Sequence, residues 1–202
     1  MPSEPGNIAA ASQESATAVA FTLPNAVSAG SGQSLAVPII DREVPADRIS
    51  LYSPQVHATN PLASIRLTND TESGLPPGIV TLFDTSGGTT TYVGDAVMGT
   101  LPQGEKRMLS FALDQKTKIE QTQKSESNLT SAKITKGLVE LQSLTRLTYT
   151  YTIKAPANED RALVLETPRH YDMELKSPDP ATVELTSSSV RIPYSVAAGQ
   201  TG

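Results

Sequence analysis

The heptapeptide LTYTYTI, residues 147–153, decides the fold class. Leu147, Tyr149, Tyr151 and Ile153 fall on one side of an extended chain and Thr148, Thr150 and Thr152 on the other, because successive side chains of a strand point to opposite faces. Both residue types favour strands. The same period of two recurs along the chain: Val19, Phe21 and Leu23 in VAFTLP, Leu35, Val37 and Ile39 in LAVPII, then Ile49 with Leu51 and Ile65 with Leu67. It returns as Leu109, Phe111 and Leu113 in MLSFALD, as Tyr171, Met173 and Leu175 in YDMEL, and as Val190, Ile192, Tyr194 and Val196 in VRIPYSV. Spacers such as YSPQVHATNP and TNDTESGLPPG carry turn residues between these segments.

No comparable pattern occurs at helical spacing. The one helix-compatible stretch, DQKTKIEQTQKSESN at residues 114–128, has only Ile119 as an apolar residue, so a helix there would have no stripe to bury; it reads as a strand end followed by a mobile polar loop. The expected fold is therefore all-β, an antiparallel β-sandwich-like domain with long hairpins and little helix. Residues 1–17, poor in groups to bury, read as a flexible leader, residues 18–198 as the β domain, and residues 199–202 as a tail. Two β subdomains divided near residue 70 are the alternative. Pro38 and Pro193 lie inside strand patterns; proline cannot donate to a ladder, so both strands are expected at sheet edges, where pairing with another chain is open to them.

Composition narrows the function classes. The 202 residues include no cysteine and no tryptophan, with 38% hydrophobic and 4% aromatic residues. Disulfides, thiolate nucleophiles and cysteine zinc sites are excluded, and the core must be built mainly from Val, Leu, Ile and Ala. No apolar run approaches the roughly 20 residues of a membrane-spanning helix. The first residues lack the basic and apolar regions of a signal peptide. The net charge is −5, divided as −7 over residues 1–105 (3 basic, 10 acidic), +5 over 106–154 (9 and 4) and −3 over 155–202 (4 and 7). Such an acidic chain lacks the concentrated basic face that nucleic acid requires. The lysines at 116, 118, 124, 133 and 136 have no interleaved aromatics and read as a solvated edge that discourages aggregation.

Six of the 13 glycines lie between residues 75 and 114. GTLPQGEK, residues 99–106, imitates a phosphate-binding loop. Pro102 removes a backbone donor, Glu105 stands where the lysine would be, and a strand pattern follows where a helix should begin. The glycines are instead expected to turn strands: LPPG and LPQG as tight turns, TSGGTTT as a hairpin loop.

The segment from ASIRLTND to ALDQKTKI, with the later LTRLTYTYTIKAPANEDRALVLETPR, resembles the C-terminal β domain of mucoidy-inhibitor-like bacterial proteins, catalogued as domain of unknown function 4139. The likeness rests on Asn69 after an alternating strand, Leu75 to Gly78 before the next, the step from Tyr92 to Asp95, Gly104 with Glu105, and Ala112 to Asp114. It covers roughly residues 35–180, and its motifs are turn chemistry rather than site chemistry. Members of that family are typically longer, with an exported N-terminal part, so the chain looks like a C-terminal fragment. The resemblance implies a cell-envelope, periplasmic or secreted setting and brings no catalytic residues.

Two histidines exist. If YDMEL is a strand, His170, Asp172 and Glu174 share one face and are the candidate metal ligands; the alternative is the solvent side of a strand. No Gly-x-Ser-x-Gly elbow supports a hydrolase using His57 or His170. The carboxylate pairs Asp41/Glu43 and Glu159/Asp160 lie in turn-like segments without aromatic platforms. The sequons at Asn69 and Asn128 read as chance matches.

The expected function is a non-catalytic module binding a protein or an envelope glycan, with no cofactor, through the turn surface formed by Leu75, Pro76, Pro77, Gly78, Leu101, Pro102 and Gly104. A hydrolase or metal-dependent enzyme with an unrecognised site, and a structural spacer, are the rivals.

Overall fold

A computed structural model describes residues 11–14, 19–22, 26–35, 43–86 and 88–202. The fold is all-β, with long hairpins and one short 3-10 turn, Pro180–Thr182, among the described residues. The strands are β1 (Ala11–Glu14), β2 (Val19–Thr22), β3 (Ala46–Tyr52), β4 (Leu62–Thr68), β5 (Gly78–Asp84), β6 (Thr91–Met98), β7 (Lys106–Leu113), β8 (Lys118–Thr135), β9 (Leu138–Lys154), β10 (Arg161–Pro168), β11 (Glu184–Leu185) and β12 (Ser189–Val196).

The chain divides into two compact units, Met1–Ile49 with Ala63–Ala112, and Ser50–Leu62 with Leu113–Gly202. They interleave along the sequence, passing from one to the other at 49/50, 62/63 and 112/113 rather than near residue 70.

In the first unit, β4 neighbours β7, and β5 pairs antiparallel with β6. Val80 and Leu82 of β5 and Ala96 and Met98 of β6 pack with Leu67, Leu75, Leu101 and Leu109. Gly94 is required where β6 passes β7. Its φ is 147° and an added Cβ would meet the Phe111 carbonyl oxygen at 2.5 Å, a backbone conformation and an approach that only glycine accommodates. The same unit holds the β1–β2 hairpin, in which Ala11 pairs with Thr22 and Glu14 with Val19. Part of the stretch expected to be a flexible leader is thus strand. The expected LAVPII strand with Pro38 lies outside the described residues.

In the second unit β10 pairs antiparallel with β12 and parallel with the end of β3, Leu163 opposite Ser50 and Leu165 opposite Tyr52. The base of the β8–β9 hairpin covers this sheet. Ile119 and Ile153 close over Tyr52, Leu163, Leu165 and Val196, with Tyr151 against them; the Tyr52 and Tyr151 rings meet edge-on at 6.1 Å between centroids, a favoured aromatic geometry. LTYTYTI behaves as read: its four odd-numbered residues are partly or fully buried and its threonines exposed. β12 lies between β10 and β11; Pro193 is opposite Val164, and because β11 reaches only Val190 and Arg191, no strand among the described residues pairs with the other side of Pro193.

Three expectations are corrected. Residues 118–128, read as a mobile polar loop, form β-strand as the first part of an 18-residue β8, because β9 supplies the pairing that a sparse apolar pattern could not announce. The tail is not loose: Lys154 and Thr201 form a bridge, and Ile153 and Gly202 exchange backbone hydrogen bonds at 2.8 and 2.9 Å. YDMEL is not a strand but a turn between β10 and β11.

Candidate functional site

That last correction removes the geometry on which the metal candidate rested. His170, Asp172 and Glu174 share no strand face. Met173 N–H donates to the His170 carbonyl at 3.3 Å in the turn, the His170 Nε2 pairs with the Tyr149 hydroxyl at 3.2 Å, and Glu174 ion-pairs with Lys176 at 2.5 Å. Among the described residues no three His, Asp or Glu side chains form a metal-binding group. The segment is instead stitched to the loop before β12. Arg169 lies over the Tyr171 ring at 5.0 Å and donates to the Thr186 carbonyl at 2.8 Å, while the Tyr171 hydroxyl donates to the Ser187 carbonyl.

His57 is similarly committed, its Nδ1 accepting from Thr59 N–H at 3.3 Å and Asn60 N–H at 2.9 Å. Glu159 ion-pairs with Arg161 at 2.8 Å and Asp160 accepts from Ala198 N–H at 2.8 Å. Asp41 lies outside the described residues.

The most densely bonded titratable group, Asp114, was not singled out by sequence as a site. It ends the chain segment leading out of β7 and is buried with Arg161, the first residue of β10. Its Oδ2 accepts from Arg161 Nε at 2.9 Å and the Thr117 hydroxyl at 2.7 Å, and its Oδ1 from the N–H groups of Lys116 at 3.0 Å and Thr117 at 3.3 Å. Burial acts to raise the Asp114 pKa, but the Thr117 and Arg161 hydrogen bonds, the Arg161 charge and the Lys116 N–H outweigh it and hold the carboxyl below its ordinary value. The nearby Asn60 amide donates to the Asp114 and Thr117 carbonyls at 2.8 and 2.9 Å. A carboxylate engaged by donors at both oxygens has no lone pair directed at a substrate; this cluster anchors the start of β8. Asp-x-x-Thr is a local turn signature, but the guanidinium 47 residues away leaves no local trace in sequence.

The proposed turn surface divides. Leu75 and Leu101 are buried and bridge each other through reciprocal backbone hydrogen bonds of 2.8 and 3.0 Å, so the two Leu-Pro-x-Gly motifs meet by their leucines and these two belong to the core. Pro76 is half-buried, whereas Pro77, Gly78, Pro102 and Gly104 are exposed. Gly104 has the expected positive φ of 74°, but Gly78 simply begins β5. Asn69 lies beneath, its amide donating to the Ser73 and Leu101 carbonyls at 2.8 and 2.9 Å, which buries that sequon. Asn128 is exposed on β8, opposite Leu144.

What the turns present is the outer face of β5–β6. Ile79 lies opposite Val97 and Phe83 opposite Tyr92, the two rings edge-on at 6.0 Å. All four are exposed, from 56% at Phe83 to 83% at Val97. The Tyr92 hydroxyl donates to Asp95 at 2.9 Å, and the hydrogen bond and charge of that carboxylate raise the phenol above its ordinary pKa. The pair Thr81 and Asp95 stands between the two apolar pairs on the same face, so two exposed apolar pairs flank one polar pair; exposed apolar side chains set among polar groups are characteristic of contact surfaces. By contrast, a hollow of about 140 Å³ lined by Ser53, Gln55, Glu166, Thr167 and Ser189 is below the roughly 300 Å³ where ligand pockets begin, and its Glu166 is held by Arg191 at 3.1 Å and Ser189 at 3.0 Å.

Compared with protein families, curated proteins and solved structures, the chain matches no family model, no curated protein and no solved structure.

Proposed function

We propose that the chain is a non-catalytic β module of an exported bacterial cell-envelope protein of the mucoidy-inhibitor-like kind, acting by contact with a protein or an envelope glycan. The outer face of β5–β6 carries this reading: four large apolar or aromatic side chains in two cross-strand pairs face solvent, although burying such groups on folding is favourable. Tyrosine and phenylalanine offer large contact area with few rotatable bonds, at protein surfaces and against the apolar faces of sugar rings alike. The setting rests on the resemblance at Asn69, Leu75 to Gly78, Tyr92 to Asp95, Gly104 with Glu105, and Ala112 to Asp114.

The test is cosedimentation of the purified chain with isolated Gram-negative envelope fragments, and with sacculi stripped of protein. Binding that is lost in Phe83→Ser/Tyr92→Ser while folding is retained is the expected result. Retention by stripped sacculi would assign the contact to glycan, and retention by unstripped fragments alone to protein. The reading is overturned by binding indifferent to these substitutions, by no binding, or by turnover of an ester, phosphodiester or glycoside that disappears in His170→Ala.

A further inference from the structure

The β8–β9 hairpin is far longer than the sheet it covers. Its register runs from Lys118 opposite Lys154 to Thr135 opposite Leu138, but only its base is buried. From Gln123 to Thr135 every residue of β8 is exposed, as is β9 from Leu138 to Arg146, and no other strand flanks this ribbon among the described residues. A two-stranded ribbon alone in water is marginally stable and normally gains a third strand or a packing partner.

The two faces of the ribbon follow from the register. Starting at the buried pair Ile119 and Ile153, one face takes every second residue: on β9 it holds Tyr151, Tyr149, Leu147, Thr145, Ser143, Leu141 and Val139. On β8 it runs through the odd-numbered residues to Leu129. There the register shifts, Leu129 standing opposite Ser143 and Ser131 opposite Gln142, so Thr130 is the extra residue of a bulge. Beyond it the parity reverses and Ala132 and Ile134 continue the same face. The consequence for charge is complete segregation. Lys118, Glu120, Lys124, Glu126, Lys133, Glu140, Arg146 and Lys154 all fall on the opposite face, and the remaining charge, Lys136, is in the turn. If the same residues paired without the bulge, Lys133 would stand on the uncharged face opposite Val139. Two leucines, Leu138 and Leu144, accompany the charged residues.

We propose that the uncharged face of the distal hairpin is the surface through which two copies of this chain associate. Its large apolar members range from 60% exposed at Val139 to 76% at Ile134. A face without charges neither repels its own copy nor calls for a partner of opposite sign, and it is self-complementary about a two-fold axis. Its extent suits a weak dimer. From Ser125 to Thr135 it runs about 35 Å at the usual strand rise, two strands wide. Two strands are about 10 Å wide, so the face projects roughly 350 Å² per copy and pairing buries on the order of 700–1,000 Å² in total, the size of a weak association. A lipid surface is less well matched, because aromatic residues that favour the membrane interface are absent from the distal ribbon, the tyrosines lying toward its base. This association is independent of the β5–β6 contact, which lies in the other unit.

The experiment is sedimentation of the full chain across the micromolar range, with cross-linking. The native chain is expected to dimerise as its concentration rises, and Leu129→Glu/Leu141→Glu to stay a monomer with unchanged circular dichroism. Ala132→Lys separates apolar content from charge: it retains every leucine and isoleucine but puts a cation in the face opposite Leu141, and it too should abolish the dimer. Because the chain has no cysteine, single thiols report the face directly. Ser127→Cys, Ser143→Cys and Thr145→Cys should include positions joined between copies by a short bis-maleimide, whereas Lys133→Cys and Gln142→Cys should not. A monomer at every concentration, a dimer surviving both face variants, or equal cross-linking from both faces would overturn the proposal. Binding of the native chain, but not the double Glu variant, to phosphatidylglycerol vesicles by a chain monomeric in solution would give the face to lipid instead. Envelope cosedimentation lost only in Phe83→Ser/Tyr92→Ser would leave the contact-module reading intact whichever way the dimer experiment falls.

Discussion

Replacing Asp114 with alanine tests whether the buried ion pair anchors the second unit. The substitution removes the acceptor of Arg161 Nε at 2.9 Å, of the Thr117 hydroxyl at 2.7 Å and of two backbone N–H groups. It leaves the guanidinium buried, with Glu159 at 2.8 Å as its remaining carboxylate partner. Breaking a buried pair costs about 3–5 kcal/mol; because Glu159 is itself 43% exposed and still available, the lower end applies. A loss of about 3 kcal/mol is roughly a 150-fold change in the folding constant and, for a chain of this size, a fall in Tm of roughly 6–12 °C. Urea unfolding followed by tyrosine fluorescence suits the measurement, since Tyr52 and Tyr151 lie in the core of the pair's own unit. The pH dependence supplies a second readout. Acting against burial, the surrounding donors hold the Asp114 carboxyl below its ordinary value, so on acidification the unfolded chain takes up this proton first. The stabilisation is therefore complete above the unfolded carboxyl pKa of about 3.9 and is lost as pH falls through the depressed folded value. Asp114→Asn, which keeps the shape, should flatten that acid limb. A cost under about 1 kcal/mol for the alanine variant, or an acid limb unchanged in Asp114→Asn, would refute the assignment.

Gly94→Ala should destabilise by more than about 2 kcal/mol in thermal unfolding, because its Cβ would press on the Phe111 carbonyl at 2.5 Å from a left-handed φ. Asn69→Ala should cost about 2–4 kcal/mol by chemical denaturation, since it leaves the buried Ser73 and Leu101 carbonyls without their amide donor. At the hairpin turn, Lys136 and Gly137 have φ of 53° and 80°, a pairing that suits asparagine better than lysine at the first position; Lys136→Asn should raise Tm slightly, and a fall would contradict the turn type. Zinc, manganese or calcium in micromolar excess should leave Tm unchanged, whereas an increase abolished by His170→Ala would restore a metal site, because a native-state ligand stabilises by mass action.

The short motifs behind the family resemblance acquire a common meaning from these contacts. Asn69 joins two turns, the Leu75 motif meets Leu101, Gly94 admits β7, Gly104 N–H donates to the Asn69 carbonyl at 2.7 Å, and Asp114 receives Arg161. Each marks a place where backbone comes close to another segment, so the motifs specify a framework. Chemistry of a site would instead leave polar groups converging on open space.

Alternation of side chains was enough to determine the all-β class, the faces of LTYTYTI and the unpaired side of Pro193, because these depend on a period of two and on proline's missing N–H, both local properties. The rejection of a phosphate loop at residues 99–106 was local too: β7 follows as a strand. Tertiary structure alone decided the rest. YDMEL alternates as well as any strand, yet no ladder takes it up and the ring of Tyr171 stacks with Arg169 instead, which dissolves the His170, Asp172 and Glu174 alignment. Residues 118–128 show almost no alternation, yet β9 holds them extended through backbone bonds that any side chains permit. The burial of Leu75 and Leu101, the partner of Asp114 and the parity change at Thr130 all depend on which residue lies opposite which. Strand pairing fixes that across tens of residues, through main-chain atoms common to every amino acid, and so leaves little mark on the local sequence.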